Sequence, residues 1–165
     1  MRISHAGRLF VLCGVVSALL SAVPAMAAVD AFMTVTGARQ GPIKGNAGSE
    51  NMRLVSVVRD TPMAAGVPTG RRVHSTITIV REVDKASPLL WVALNSNEKL
   101  SRVTIAFQGG SGGAKTAQTI VLTNATILNI RKSGGNEQIT LDYQTIQVTY
   151  AKGGITAMDD WQTPK

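Results

Sequence analysis

The residues that could carry catalytic or metal-binding chemistry are few and lie far apart in the chain. The histidines are His5 and His74, and Cys13 is the only cysteine. A lone histidine on a predicted strand is more often a packing or surface residue than a general base, and a structural zinc site needs about four ligands. Asp159 and Asp160 are neighbours in a polar C-terminal stretch, an arrangement that rarely forms a catalytic carboxylate pair. We therefore expect no metal site and no catalytic pair.

Two short motifs resemble functional sequences only in part. The stretch Gly113-Ala114-Lys115-Thr116 lacks the Gly-Lys dipeptide of a phosphate-binding loop, and no helix clearly follows it. Asn124-Ala125-Thr126 fits the pattern for N-glycosylation but lies within a predicted strand. We interpret the first motif as a turn and the second as a chance match, so the sequence predicts neither enzymatic activity nor a cofactor.

The charge of the chain does not favour nucleic-acid binding. Seventeen basic and ten acidic residues give a net charge of +7, and aromatic residues make up only 4% of the chain. The basic residues are scattered, whereas proteins that bind nucleic acids usually combine a basic stripe with aromatic rings for base stacking. The composition predicts a soluble surface with a moderate positive charge.

The first 27 residues have the three parts of a secretory signal peptide. Arg2 and Arg8 precede an apolar run over Leu9–Leu20, and Ala25-Met26-Ala27 forms a small-residue cleavage site. The apolar run is too short for a permanent membrane span. We expect cleavage after Ala27, a single domain over residues 28–165, and a periplasmic or secreted protein that has no contact with the membrane after cleavage. The alternative is translation from Met26, which would leave the protein in the cytoplasm.

Alternation of apolar and polar residues dominates the rest of the chain and predicts a mainly β fold. One helix is expected over 87–97, where the Ser87 hydroxyl would cap free N–H groups and Pro88 would occupy the first turn. Long loops are expected at 37–51 and 60–71, a turn at 109–113, a hairpin turn at 133–136 and a polar tail at 153–165. The predicted strands span residues 29–37, 52–59, 73–80, 100–108, 119–130 and 137–150.

The last predicted strand changes face halfway along its length. Ile139, Leu141 and Tyr143 share one parity, and the apolar positions that follow share the other, namely Ile146, Val148 and Tyr150. A strand can change face only through a bulge or corner, which we place near Gln144-Thr145. Such a corner is typical of a small barrel in which one strand passes from one sheet to the next.

Three segments resemble the haemolysin-coregulated protein (Hcp) family. Residues 28–33 resemble its N-terminal strand, and residues 139–150 resemble its closing strand. The strongest similarity is in 81–90, where a strand leads into the family's single helix; the matching residues are Val83, Asp84, Lys85, Ser87 and Pro88. The resemblance implies a small Hcp-like β-barrel of antiparallel strands with one short α-helix.

The resemblance also implies a function as a self-assembling protein. In this family, homohexameric rings stack into the inner tube of the type VI secretion system, with a spike protein at the tip and secreted effectors as passengers. The family's extended loop corresponds to 60–71 here, so Pro62, Gly66, Val67 and Pro68 are the expected ring-stacking residues. Tube subunits usually have no signal peptide. The alternative is therefore an exported Hcp-like binding or effector module that acts outside a type VI tube.

Overall fold

The computed structural model describes residues 30–47, 51–60, 75–109 and 116–161, which form nine strands and one helix. The elements are, in chain order, β1 Ala31–Gly37, β2 Gly41–Ile43, β3 Met52–Asp60, β4 Thr76–Glu82, α1 Ser87–Asn95, β5 Leu100–Gln108, β6 Thr116–Ser133, β7 Asn136–Asp142, β8 Thr145–Tyr150 and β9 Ile155–Asp160.

Six of the strands close into an antiparallel barrel. The hydrogen-bonded order runs from β1 through β3, β4, β7, β6 and β5, and β5 then pairs with β1 again. Strand β6 is 18 residues long and pairs with β5, β7 and β8. Because of this length, β8 and β9 extend the sheet outside the closed barrel. The predicted mainly β barrel is confirmed, and the described residues contain a single short helix.

The barrel interior is filled by the apolar residues that alternate with polar ones along each barrel strand. Helix α1 adds further apolar residues from one side. Leu90 and Ala93 of α1 are each about 1% exposed, and Met33, Met52, Ile79 and Ile105 are equally inaccessible. Burying a side chain of this size contributes about 1.5–3 kcal/mol each. The core is therefore the sum of many medium-sized aliphatic side chains, as the low aromatic content requires.

The change of face predicted near Gln144 is confirmed, and it separates two strands. Strand β7 pairs with the C-terminal half of β6, and β8 pairs with its N-terminal half. Opposite the break, Asn124 takes a positive φ of 51°, and its side-chain amide donates a hydrogen bond to Gln144 Oε1 at 2.8 Å. This corner allows Leu141 and Ile146 both to enter the core although their parities differ.

Two segments predicted to lack regular structure contain strands. Residues 37–51 were expected to form a loop, but β2 returns along β1 and buries Ile43 to 3% exposure. The expected polar tail contains β9, which pairs with β8 over six residues. Neither strand shows a clear apolar alternation, because β2 is very short and β9 is mostly exposed. Both are held by backbone ladders to a neighbour, which periodicity does not reveal.

Other boundaries differ by a few residues. Strand β6 extends three residues beyond each end of the predicted 119–130, and α1 ends at Asn95 instead of residue 97. The predicted hairpin turn is confirmed, since Ser133 pairs with Asn136 across Gly134-Gly135. Gly134 has a positive φ of 58°, a conformation that glycine adopts without a steric penalty.

Candidate functional site

The segment that carries the family resemblance forms the turn between β4 and α1, and Asp84 organises it. The Asp84 carboxylate accepts hydrogen bonds from the backbone N–H groups of Ala86 at 2.8 Å and Asn46 at 3.0 Å. Its backbone carbonyl accepts the Ser87 N–H at 3.0 Å. Asp84 therefore joins the start of the helix to the β2–β3 connection.

The predicted capping role of Ser87 is wrong. Ala86 occupies the N-cap position, and no side-chain hydroxyl caps the helix. Ser87 is the first helical residue, and its buried hydroxyl donates a hydrogen bond to Glu137 Oε1 at 3.0 Å and accepts the Asp84 N–H at 3.2 Å. The hydroxyl is therefore a donor to a buried carboxylate and not a helix cap. Pro88 does lie in the first helical turn, as predicted.

A buried ion-pair network lies beneath this turn. Arg81 and Glu137 are directly opposite on β4 and β7, both side chains are fully buried, and Nη1 lies 2.6 Å from Oε1. Arg81 Nη2 also pairs with Asp84, whose side chain is 8% exposed. Removing one partner of a buried pair leaves the other charge uncompensated, which costs about 3–5 kcal/mol. The network therefore links β4, β7 and the start of α1.

Sequence reasoning missed Arg81 and Glu137, although a signal was present. Arg81 continues the inward parity of Ile77 and Ile79, and Glu137 shares the inward parity of Ile139. Opposite charges at the core positions of two strands are the expected signature of a buried pair.

The other residues of the family-matching segment face the solvent. Val83 is 41% exposed and Lys85 is exposed, whereas Asp84 and Ser87 point inward. The five matching residues therefore comprise two internal polar residues that fix the helix and three exposed residues, since Pro88 is exposed as well.

A second buried carboxylate, Glu98, joins the helix end to the turn between β1 and β2. Its Oε1 accepts the backbone N–H groups of Arg39 at 2.7 Å and Gln40 at 2.9 Å, and Oε2 accepts the Gln40 side-chain amide at 2.9 Å. The hydrogen bond from the Gln40 backbone lowers the pKa of Glu98, outweighing the effect of burial. Gly37 packs against this carboxylate, and a Cβ there would lie 2.5 Å from Oε1.

Large apolar residues are exposed on several strands, β3 and β9 among them, and on α1. On β9, Ile155 is 66% exposed and Met158 is 69% exposed; on β3, Val55 and Val58 are each about half exposed. Strand β9 is the last strand of the sheet and pairs only with β8 among the described residues. An edge strand with exposed apolar side chains is a template for strand or surface contacts.

Several predicted sites lie outside the described residues. These are the predicted signal peptide at 1–27, His74, most of the predicted turn at 109–113 and the expected ring-stacking residues Pro62, Gly66, Val67 and Pro68. Within the described part of the chain, no three His, Cys, Asp or Glu side chains are placed to hold a metal ion. No helix in that part is long and apolar enough to cross a membrane.

Comparisons with known proteins agree on one family. The family model "Type VI secretion system effector, Hcp" matches residues 32–150. The "Major exported protein" of Pseudomonas aeruginosa is 32% identical over 168 aligned positions, which cover 83% of this chain and 98% of that protein.

Solved structures with the same fold include the secreted protein Hcp3 from Pseudomonas aeruginosa, with 30% identity and a TM-score of 0.70; the match covers 80% of this chain and 99% of that one. Hcp1 from E. coli EAEC 042 has 22% identity and a TM-score of 0.71, with 81% and 99% covered. The family match spans all of the barrel except its first residue and includes the buried carboxylates of Glu98 and Glu137. The chain therefore belongs to the Hcp family of the type VI secretion system.

Proposed function

We propose that this protein is a structural subunit of a type VI secretion tube, built from homohexameric rings that stack, and that it has no catalytic role. The observation that carries the proposal is the family match over residues 32–150, which includes the barrel, the helix and β8. Its partners would be further copies of itself, a spike protein at the tip of the tube, and secreted effectors as passengers.

The sheet topology supports assembly. Strands β2 and β9 are the two ends of the sheet, and within the described residues each pairs with a single neighbour. Unpaired edges are usually covered by a partner. Contacts between different surfaces of identical copies close into a ring when the rotation closes.

Ring formation is tested with purified residues 28–165. Light scattering coupled to size exclusion should give a hexameric mass, and negative-stain images should show rings. A monomer at high protein concentration would contradict the proposal and leave only the shared fold.

We also propose that the connection between β3 and β4, which contains Pro62, Gly66, Val67 and Pro68, mediates stacking of the rings. Deleting Pro62–Pro68 should leave rings intact and prevent longer tubes, because the connection would reach over the next ring. Tubes of unchanged length in electron micrographs would remove the assignment.

A second candidate is an exported Hcp-like module that acts outside a tube. The three-part N-terminus of residues 1–27 favours it. Two relatives are named "Major exported protein" and "secreted protein", and these names are compatible with export both for a tube subunit and for a separate module. Intact mass of the protein from periplasm and medium tests this. A species that begins at Ala28 supports cleavage after Ala27, whereas a cytoplasmic species that begins at Met1 or Met26 contradicts it.

A further inference from the structure

The outer face of four adjacent barrel strands carries two rows of side chains that are mostly polar. Cross-strand register aligns one row over β3, β4, β7 and β6, and a second row two residues along the strands. The first row is Val58, Thr78, Thr140 and Asn129, and the second is Ser56, Val80, Gln138 and Arg131. The β3 and β4 positions of each row hold one valine and one hydroxyl-bearing residue, whereas the β7 and β6 positions all carry hydrogen-bonding groups.

The polar ends of the two rows enclose a shallow depression of about 190 Å³, lined by Asn129, Arg131, Gln138 and Thr140. Thr140 is half-buried, and its hydroxyl lies 3.4 Å from that of Thr78. The side chains of Asn129, Arg131 and Gln138 form no hydrogen bond or ion pair with any residue that the structure describes. Two amides, a hydroxyl and a guanidinium thus line the same depression. The two amides and the guanidinium have no partner among the described residues.

The carboxylates on this face do not neutralise the arginine in this arrangement. Asp142 lies two residues beyond Thr140 and accepts the Tyr143 N–H at 2.9 Å. Glu82 shares the outward parity but lines a different cleft, together with Phe32 and Arg53. The depression therefore carries one positive charge and several donors without an acidic group in its lining.

We propose that this depression is a binding site for a carboxylate of a polypeptide, in which Arg131 supplies the charge. A guanidinium presents paired N–H donors that match the two oxygens of a carboxylate. The amides of Asn129 and Gln138 and the hydroxyl of Thr140 can donate to the remaining lone pairs. A cationic ligand would be repelled by Arg131, and an apolar ligand would leave the donors without partners. The site is formed within one subunit and does not depend on ring assembly.

The test measures binding of short peptides to the purified protein at low ionic strength by fluorescence anisotropy. The probe is Gly-Ser-Glu-Gly with a neutral dye at its N-terminus and an amidated C-terminus; the control peptide has Gln in place of Glu. A third peptide, with Gln and a free C-terminus, distinguishes a side-chain carboxylate from a terminal one. We expect saturable binding of at least one carboxylate peptide and none of the amidated Gln peptide.

Arg131→Gln should weaken binding about tenfold, since it removes a charge-assisted bidentate contact. The matched control is Arg102→Gln, which removes an exposed arginine on β5, and it should leave the affinity within about twofold. Circular dichroism and the melting temperature establish that both variants fold. Gln138→Ala provides a second variant that retains the charge, and it should weaken binding by a smaller factor.

Three results would overturn the proposal. The first is that neither carboxylate peptide binds more tightly than the amidated Gln peptide. The second is equal affinity of Arg131→Gln and Arg102→Gln for the peptide that binds. The third is displacement of that peptide by inorganic phosphate at a much lower concentration than by acetate. The last result would assign the site to phosphate groups.

Discussion

Ser87 stabilises a buried charge rather than the end of a helix. Its hydroxyl donates a hydrogen bond to Glu137, which also pairs with Arg81, and all three side chains are almost inaccessible. In such surroundings a lost hydrogen bond leaves an acceptor that water cannot reach.

Ser87→Ala should therefore lower the free energy of unfolding by about 1–3 kcal/mol, measured by urea denaturation. The control is Ser133→Ala at the exposed last position of β6, which should change it by less than about 0.5 kcal/mol. A double-mutant cycle with Glu137→Gln shows whether Ser87 stabilises the buried Glu137 carboxylate or only the end of the helix. Coupling between the two sites is expected here, whereas strictly additive effects would indicate that Ser87 acts on its own.

The Glu98 carboxylate should make stability depend on pH in the acidic range. Its pKa is lower in the folded protein than in the unfolded chain, chiefly because the Gln40 backbone N–H binds the ionised form. A depressed pKa stabilises the fold above the pKa of the unfolded carboxyl, and this contribution is lost as the pH falls through the folded pKa.

We expect the stability difference between the natural protein and Glu98→Gln to be largest near neutral pH and to shrink between about pH 5 and about pH 2. Urea denaturation at a series of pH values measures this difference. A difference that stays constant across the series would show that ionisation of Glu98 does not contribute.

At the scale of elements, the turn between β1 and β2 depends on its contact with the segment after α1. Glu98 accepts both backbone N–H groups of Arg39 and Gln40, and Arg39 also donates to the Ser96 carbonyl at 3.0 Å. Gly37 brings the backbone close enough for these contacts, because an added Cβ would overlap with the carboxylate.

Gly37→Ala should consequently destabilise the protein by about 1–3 kcal/mol, since overpacking displaces either the turn or Glu98. Gly135→Ala is a suitable control, because a Cβ at Gly135 meets no atom within 4 Å. Thermal unfolding of the two variants measures the effect. Equal melting temperatures would show that the turn can move aside at no cost.

At the scale of the whole molecule, β9 is the element most suited to a contact with a second copy. Its exposed residues Ile155 and Met158 lie on a strand that has a free edge among the described residues. A negative charge introduced at such a position would be buried without a partner if the strand lies in an interface.

Met158→Glu should prevent ring formation and leave the folded subunit intact. Val92→Glu is the comparison, since Val92 is 52% exposed on the helix, and it should still allow rings. Light scattering gives the mass, and circular dichroism reports folding. Rings of normal size from Met158→Glu would exclude β9 from the interface.

The sequence by itself determined the features that depend on local pattern. Alternation located most barrel strands, Gly134-Gly135 marked the hairpin, and the change of parity after Tyr143 located the corner. These features follow from which face of a strand each side chain occupies, and that depends only on nearby residues.

Only the tertiary structure decided which distant groups meet. Arg81 and Glu137 are 56 positions apart, and Glu98 binds the backbone of Arg39 59 positions away. Periodicity predicts that a side chain points inward, but the partner of a buried charge depends on which strands become neighbours in the closed barrel. The existence of strand β9 was also decided only by the tertiary structure. Backbone pairing with β8 holds it in place, while its own residues remain largely exposed.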